Sequence, residues 1–173
     1  MFLRQNLRAV GVEEIVKQAK VAKISLYRSY ASKDDLVVAY LERRNADFWR
    51  QMDEDFFEHE GDPRSRLRAR LSYLASRTTQ PGYQGCPFIN YSAEFPDSSH
   101  PGHVVAHENK REWRRRLTNV SQAPGARQPE RLGDALLLVE GAYAISQTLG
   151  GTDGPGCALV WAADALVDAQ LDA

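Results

Sequence analysis

Hydrophobic residues along the chain recur at the three- and four-residue spacing that is typical of amphipathic helices. Leu67, Leu71 and Leu74 follow this spacing, and Asp62-Pro63 just before them supplies an N-cap and a first-turn proline. No stretch alternates apolar and polar residues between hairpin turn signals, as a half-buried strand would. The pattern therefore predicts an all-α fold.

The front of the chain predicts two short helices around a tight turn. Residues 12–19 carry an apolar face, and residues 20–22 interrupt it. A second short helical segment begins at Ile24 or Leu26 with Tyr27. In a helix-turn-helix of this kind the second helix enters the major groove of DNA, while its apolar residues hold it against the first helix. The apolar face of the first helix consists of Val12, Ile15, Val16 and Ala19.

A third, long helix is predicted immediately after this motif. Ser32 can cap the helix, and Asp35 can complete a capping box. The helical pattern then continues from residue 33 to about residue 59, a length of roughly 40 Å at about 1.5 Å per residue. Its apolar face consists of Val37, Leu41, Phe48, Met52 and Phe56.

The two C-terminal segments are apolar around most of the helical circumference. In residues 131–149 polar side chains are confined largely to Asp134, Glu140 and Gln147. The segment of residues 156–171 is similar. Such helices must be buried on nearly every side, which two of them in so small a chain can hardly achieve alone. Pairing with the same helices of a second copy would bury them, so we expect a two-fold symmetric homodimer.

Charge is divided unevenly between the front of the chain and the remainder. The net charge is −1 over 173 residues and 19.4 kDa, a size that suits one domain or a small module fused to a larger one. Residues 1–33 nevertheless carry +5, and the remaining residues carry −6. A basic head on an acidic body suits contact with the phosphates of a nucleic acid. The alternative is a solvated basic helix face.

Several classes of protein are excluded by features that the sequence lacks. No apolar run approaches the roughly 18 residues of a membrane span, and the N-terminus has no apolar core of a secretion signal. We therefore expect a soluble, cytoplasmic chain without a membrane partner. Cys86 and Cys157 are the only cysteines, so neither a disulfide framework nor a paired-cysteine zinc pattern is present.

Residues 12–36 resemble the DNA-binding domain of the TetR-type bacterial transcriptional repressors. The pattern of that family runs roughly I-A-x-x-A-G-V-s-k-g-t-l-Y-x-h-F-x-s-K-e-x-L. Both turn spacings and the interval between Tyr27 and Lys33 agree with it. The residues in register are Ile15, Ala19, Val21, Lys23, Ser25, Leu26, Tyr27, Ser32, Lys33 and Leu36.

The resemblance implies DNA-binding roles for five residues on or near the recognition helix. Tyr27 and Lys33 would bind phosphates, whereas Ser25 and Arg28 are better placed to sample bases. Lys23 would lie with Ser25, Tyr27 and Arg28 on or near the recognition helix. The alternatives are that Tyr27 is a core aromatic residue and that Lys33 is a surface lysine. Lys33 would stand in a first helical turn, where a cation is unfavourable unless an external anion binds it.

Three departures from the family pattern concern the strength of this head. Lys20 stands where glycine is usual, and a positive φ there would cost about 1 kcal/mol or more. Ala22 stands where serine usually caps the recognition helix, which forfeits about 1 kcal/mol. The family's first helix is truncated, because only residues 1–8 remain for it. Either the protein starts upstream of Met1, or the head is held loosely and its affinity for DNA is reduced.

Two later segments, residues 85–89 (GCPFI) and 93–97 (AEFPD), followed by His100-Pro101, resemble a subgroup of the same regulators. The resemblance implies an effector pocket in this region, where a small apolar molecule would bind and release DNA. The alternative is a plain aromatic core. Cys86 would be either a redox or electrophile sensor or an inert buried side chain. The candidate effector-binding residues are Tyr83, Cys86, Phe88, Tyr91, Phe95 and Trp113.

The body carries no motif of a known enzyme class, so we expect neither catalysis nor a cofactor. The nearest approach to a metal site is the histidine group around residue 100. His103 and His107 lie four residues apart, a spacing that can bind zinc or nickel with a third ligand. The stronger alternative is that both are polar surface residues, so no metal site is predicted.

The residues and the resemblance together predict a dimeric, all-α, ligand-responsive transcriptional repressor. It would bind a pseudo-palindromic operator in double-stranded DNA. Residues 1–36 would form the helix-turn-helix DNA-binding domain, and residues 37–173 would form the helical effector-binding and dimerisation domain. The alternative is a dimeric small-molecule- or metal-binding protein with an impaired DNA-binding head, for which the truncated first helix, Lys20 and Ala22 are the reasons.

Overall fold

The computed structural model describes residues 7–54, 62–122, 125–149 and 154–171, with the backbone alone at residues 142–144 and 171. Within these ranges the regular structure is helical and contains no strand, which confirms the all-α prediction. None of the helices described is long and apolar enough to cross a membrane. A 3₁₀ turn at Pro155–Ala158 leads into the last helix. The α-helices are α1 (Val12–Ala19), α2 (Lys23–Ser29), α3 (Lys33–Met52), α4 (Pro63–Thr78), α5 (Pro87–Glu94), α6 (Gly102–Gln122), α7 (Pro129–Leu149) and α8 (Leu159–Leu171).

The chain divides into two units. Unit 1 contains the described residues of Met1–Asp47 and Pro87–Asn109, and unit 2 contains those of Phe48–Cys86 and Lys110–Ala173. Both α3 and α6 contribute residues to each unit. This division does not test the predicted boundary at residue 36 between the DNA-binding domain and the effector-binding and dimerisation domain, which stays a prediction.

Unit 1 is built from the front of the chain together with α5 and the first part of α6. α1 packs against α2, and the corner between α5 and α6 is closed by a hydrogen bond of 2.7 Å between Tyr91 Oη and His100 Nδ1. This corner requires Gly102, because a Cβ there would lie 2.7 Å from Tyr91 Oη and 2.9 Å from Leu41 Cδ1. The buried apolar residues of the unit are Leu7, Val10, Ile15, Val16, Val37, Leu41, Phe88, Tyr91 and Ala106.

The predicted truncated first helix falls largely on residues 1–6, which lie outside the described residues. Residues 7–9 form a turn, and Leu7 and Val10 are buried. In α1, Ile15 and Val16 are also buried, as the pattern predicts. Ala19 was expected on the same face but is exposed, because it ends the helix next to the turn. The apolar face of α1 is therefore shorter than the pattern indicates.

The N-cap predicted for α3 is present, and Asp35 bonds to the hydroxyl of Ser32 rather than to its backbone N–H as in a full capping box. Ser32 Oγ accepts a hydrogen bond from the backbone N–H of Asp35 at 3.0 Å and donates one to the Asp35 carboxylate at 2.9 Å. α3 accordingly begins at Lys33. It is followed by a π-helical turn at residues 53 and 54, and the predicted continuation to about residue 59 lies outside the described residues.

The predicted start of α4 is also confirmed. Asp62 Oδ1 accepts hydrogen bonds from the backbone N–H groups of Arg64 at 3.0 Å and Ser65 at 3.1 Å, and Pro63 occupies the first turn. In unit 2, α4, α7 and α8 pack against one another, and the three leucines of the α4 stripe enter the core. The buried core consists of Met52, Leu67, Leu71, Leu74, Trp113, Leu117, Leu132, Leu136, Leu159, Ala163 and Val167.

Glu112 lies at the centre of an arginine cluster on α6 of unit 2. Arg115 donates two hydrogen bonds of 2.7 Å to the Glu112 carboxylate, and Arg116 Nε donates a third of 2.7 Å. The Arg116 guanidinium also reaches Asp53 and lies 4.2 Å from the centroid of the Trp49 ring. Hydrogen bonds from Arg115, and after them those from Arg116, lower the pKa of Glu112 from 4.5 to about 2.

The lowered pKa of Glu112 predicts a pH-dependent contribution to stability. Folding favours the ionised carboxylate, so this stabilisation is present in full above about pH 4.5 and is lost as the pH falls towards about 2. Because the side chain is partly exposed, we expect Glu112→Gln to lower the free energy of unfolding by about 1 kcal/mol or less at pH 7. Urea denaturation of both proteins between pH 3 and 7 measures this. A difference that stays constant over that range would contradict the expectation.

Candidate nucleic-acid interface

The turn between α1 and α2 is closed by backbone hydrogen bonds around Lys20. Lys20 has φ 54° and ψ 40°, so it occupies the left-handed region that favours glycine. Its N–H donates to the carbonyl of Lys17 at 3.3 Å, and the N–H of Val21 donates to the carbonyl of Val16 at 3.1 Å. This pair of bonds is a Schellman motif. The strained conformation expected for a lysine at this glycine position is therefore present.

α2 begins without a side-chain cap, as expected for alanine at its N-cap. Ala22 has extended backbone angles, and its carbonyl accepts the N–H groups of Ser25 at 2.9 Å and Leu26 at 3.3 Å. Its methyl side chain cannot accept the hydrogen bond that serine would provide. The helix starts at Lys23, one residue before the earlier of the two starts that the pattern allowed.

None of the residues of α2 is buried. Lys23 projects from its first turn, and its ammonium lies 2.5 Å from the Glu13 carboxylate of α1. This contact raises the pKa of Lys23 through the hydrogen bond and the charge of Glu13. The ion pair links the two helices of the motif at the surface.

The other predicted recognition-helix residues are open to solvent. Ser25 and Arg28 are exposed, and the Ser25 carbonyl accepts a hydrogen bond from Ser29 Oγ at 3.4 Å. Tyr27 is 45% exposed, so it is not a core aromatic residue, whereas Tyr30 is half-buried. The structure thus places Lys23, Ser25, Tyr27 and Arg28 together on one accessible helix.

Lys33 lies outside α2 and is bonded to the backbone of the head. It is half-buried at the start of α3, and its ammonium donates to the carbonyl of Arg8 at 2.7 Å. The backbone N–H of Arg8 in turn donates to the Glu94 carboxylate at 2.9 Å. Lys33 therefore holds residue 8 against the motif, and its role towards phosphate stays a prediction.

The six residues predicted to bind an effector are distributed over both units. Within unit 1, the Tyr91 and Phe95 rings stack with centroids 4.9 Å apart, and Phe88 is buried. Within unit 2, Trp113 is buried beside Phe48, with ring centroids 6.1 Å apart. Tyr83 is half-buried in that unit and Cys86 is buried. The effector pocket stays a prediction.

The histidines near residue 100 have separate surroundings. His103 Nε2 lies 2.6 Å from the Phe95 carbonyl oxygen, so His103 is half-buried rather than a surface residue as expected. His107 is exposed, and its Nδ1 lies 3.8 Å from the Glu108 carboxylate. Among the described residues, no group of three or more histidine, cysteine, aspartate or glutamate side chains is placed to hold a metal ion.

Comparison with known proteins agrees with this geometry. The family model for bacterial regulatory proteins of the tetR family matches residues 1–40, which include α1, α2 and the start of α3. The crystal structure of a putative TetR transcriptional regulator from Streptomyces avermitilis is 28% identical, with a TM-score of 0.86. The alignment covers 98% of this chain and 91% of that one. Residues 1–40 thus match the tetR family model, and the chain is similar over nearly its whole length to a solved TetR regulator.

Two curated bacterial transcriptional regulators are also similar in sequence. The HTH-type transcriptional repressor NemR of Escherichia coli strain K12 is 33% identical over 100 residues, which are 57% of this chain and 50% of NemR. The transcriptional regulator AcuR of Cereibacter sphaeroides is 30% identical over 135 residues, which are 74% of this chain and 60% of AcuR. The matches thus span only half to three fifths of these relatives.

Two further TetR-family structures share the fold. A regulator from Streptomyces coelicolor is 23% identical, with a TM-score of 0.88 over 98% of this chain and 89% of that one. The reduced form of E. coli NemR is also 23% identical, with a TM-score of 0.82 over 94% of this chain and 89% of that one. At this level of identity the likeness concerns the fold alone.

Sequence reasoning missed a buried ion pair in unit 2. The Arg70 guanidinium lies 5.4 to 5.6 Å from the ring centroids of Phe48, Tyr73 and Trp113. Its Nη2 lies 3.8 Å from Glu140 Oε1, and burial raises the pKa of the Glu140 carboxyl. The available signal was an arginine within the leucine stripe of α4 and a glutamate within an apolar run of α7. Charges in such positions are buried only with partners.

The left-handed turn predicts that glycine at position 20 stabilises the head. The left-handed conformation strains a non-glycine residue by about 1–2 kcal/mol. Glycine avoids this strain, but ordering its more flexible backbone on folding costs about 0.5–1 kcal/mol more than ordering alanine. We expect the free energy of opening of the head to be about 0.5–1 kcal/mol higher in Lys20→Gly than in the control Lys20→Ala. Both variants remove the charge, and only glycine relieves the strain. Amide hydrogen exchange in α1 and α2 measures this free energy of opening. Equal protection in the two variants would contradict the expectation.

Proposed function

We propose that this protein is a TetR-family, ligand-responsive transcriptional repressor that binds a pseudo-palindromic DNA operator as a homodimer. In this proposal residues 1–36 bind DNA, and residues 37–173 bind the effector and form the dimer. The chain therefore acts by binding rather than by catalysis. The similarity to NemR, which is named a transcriptional repressor, and to AcuR, which is named a transcriptional regulator, supports this assignment.

One observation carries the proposal, namely the display of α2 towards solvent. α1 buries Ile15 and Val16, while α2 buries none of its residues and presents Lys23 and Arg28 outward. A short helix with exposed cations and little packing of its own matches the recognition helix of a helix-turn-helix protein. The net charge of +5 on residues 1–33 supplies attraction to the phosphates that flank the groove.

The apolar outer faces of α7 and α8 support the homodimer. Leu138 is 79% exposed, and Ile145 and Leu149 lie on the same face of α7 and are also exposed. On α8, Trp161 is 74% exposed, opposite the face that buries Leu159. Pairing of these faces between two copies would remove this apolar surface from water. Two recognition helices could then contact half-sites about 34–36 Å apart, or a multiple of that distance.

Effector control is proposed to operate through α3. This helix begins at Lys33 beside the helix-turn-helix and contributes Phe48 and Met52 to unit 2, where Phe48 contacts the Arg70 guanidinium. A small molecule bound in the body would release DNA only if it prefers the state in which the heads fit the operator poorly. The aromatic residues of the body make an apolar or aromatic effector the best match.

A dimer with an impaired head is the second candidate. Lys20 in the left-handed region and the missing cap at Ala22 both weaken the helix-turn-helix, which favours this alternative. Such a protein would dimerise and bind its small molecule without recognising an operator. The DNA titration described next separates the two candidates.

The proposed role of α2 predicts a specific loss of DNA affinity when Arg28 is removed. The full chain is titrated against the DNA that flanks its own gene and against a scrambled duplex, at several salt concentrations. We expect specific binding that weakens steeply with salt, and a cost of about 1–3 kcal/mol for Arg28→Ala if its guanidinium contacts a base. Arg77→Ala, which removes an exposed arginine of α4, is the matched control and should bind normally. Equal affinity for both duplexes would refute the operator proposal and leave the impaired-head candidate.

The exposed face of α7 predicts that a charge at position 138 disrupts the dimer. Leu138→Lys would place an ammonium in the proposed apolar interface, so we expect the dimer dissociation constant to rise by about tenfold or more. Gln122→Lys adds the same charge at an exposed position of α6 and should leave the dimer intact. Sedimentation equilibrium measures both constants. A wild-type chain that is monomeric at micromolar concentration would contradict the homodimer.

A further inference from the structure

The recognition helix carries a large apolar side chain that the fold does not use. Ile24, the second residue of α2, is 71% exposed. A β-branched residue is also a weaker helix former than alanine, so at an exposed position it contributes little to the helix itself. Packing and helix propensity therefore leave Ile24 without a role in the isolated chain.

The surroundings of Ile24 indicate which surface would cover it. Tyr27 lies one turn further along α2 on the same face and is 45% exposed, and Lys23 and Arg28 flank this face with cationic groups. An apolar centre between two cations suits a surface that presents an apolar group among anions. The major groove of DNA is such a surface, because the C5-methyl group of thymine projects into it between the phosphate backbones.

We propose that Ile24 is a specificity-determining residue that contacts the C5-methyl group of a thymine in each half-site. The proposal rests on the operator-binding function argued above. Residues at the N-terminal end of a recognition helix are those that contact base edges, and Ile24 stands in the first turn of α2. Its neighbour Leu26 is half-buried, so among the apolar residues of α2 Ile24 is the most accessible.

The test removes the methyl group from the DNA and the apolar group from the protein separately. Operator sequences are first selected with the full wild-type chain from a library of randomised duplexes. Each thymine of the selected operator is then replaced in turn by deoxyuridine, which lacks only the C5-methyl group. Dissociation constants are measured by fluorescence anisotropy at one fixed salt concentration for the wild type, Ile24→Val and Ile24→Ser.

The expected result is a loss of affinity at one thymine of each half-site that depends on Ile24. Removing the methyl group there should weaken wild-type binding by about fourfold per half-site, since one buried methyl group has about that effect. Ile24→Val should retain this sensitivity, and Ile24→Ser should lose it. Ile89→Ser, which alters an exposed isoleucine of α5, is the matched control and should keep the wild-type sensitivity.

Two failures lead to different conclusions. If the library yields no selected sequence for the wild type, operator binding itself is refuted, and the role of Ile24 falls with it. If an operator is selected but no thymine is sensitive to loss of its methyl group, the role of Ile24 is refuted while operator binding stands. The same conclusion follows if Ile24→Ser shows the same sensitivity as the wild type.

Discussion

The display of the recognition helix depends on how α1 ends. Burial of Ile15 and Val16 fixes the inward face of α1, and the left-handed conformation at Lys20 reverses the chain so that α2 begins only three residues later. The strain of about 1–2 kcal/mol at Lys20 is offset by the burial of Ile15 and Val16, each of which contributes about 1.5–3 kcal/mol. The motif can therefore accept lysine where the family pattern has glycine. In return it gains a cation next to α2.

Local features of the sequence predicted most of the fold, because they depend on residues close together in the chain. The N-caps at Ser32 and Asp62 identified two helix starts, and the leucine spacing identified the buried side of α4. The contacts that sequence reasoning missed join distant segments. Lys33 with the Arg8 carbonyl and Arg70 with Glu140 are set by tertiary packing, which no local pattern encodes. For the same reason the sequence predicted DNA-binding roles for Lys23 and Lys33 but did not predict the partners Glu13 and the Arg8 carbonyl.

Those partners affect the two lysines differently. The ion pair of Lys23 with Glu13 lies at the surface, where such pairs contribute little to stability, so in the proposed complex a DNA phosphate would replace Glu13 easily. In the free protein Glu13 holds the Lys23 ammonium against α1. Lys33 is half-buried and holds the Arg8 carbonyl, so turning towards phosphate would leave that carbonyl without its donor. On these grounds we propose Lys23 as the more available phosphate ligand and Lys33 as a residue that stabilises the head.

The outer faces of α7 and α8 bear on specificity as well as on stability. A recognition helix of seven residues can contact only a few base pairs, which is too little to distinguish an operator among the many competing sites of a genome. Two such helices held in one dimer double the number of contacts, and the second contact forms at the high effective concentration that the first one creates. In the proposed dimer, the exposed apolar residues Leu138 and Trp161 would therefore contribute to DNA recognition by holding two heads together. A head with a strained turn and no side-chain cap would depend strongly on this pairing.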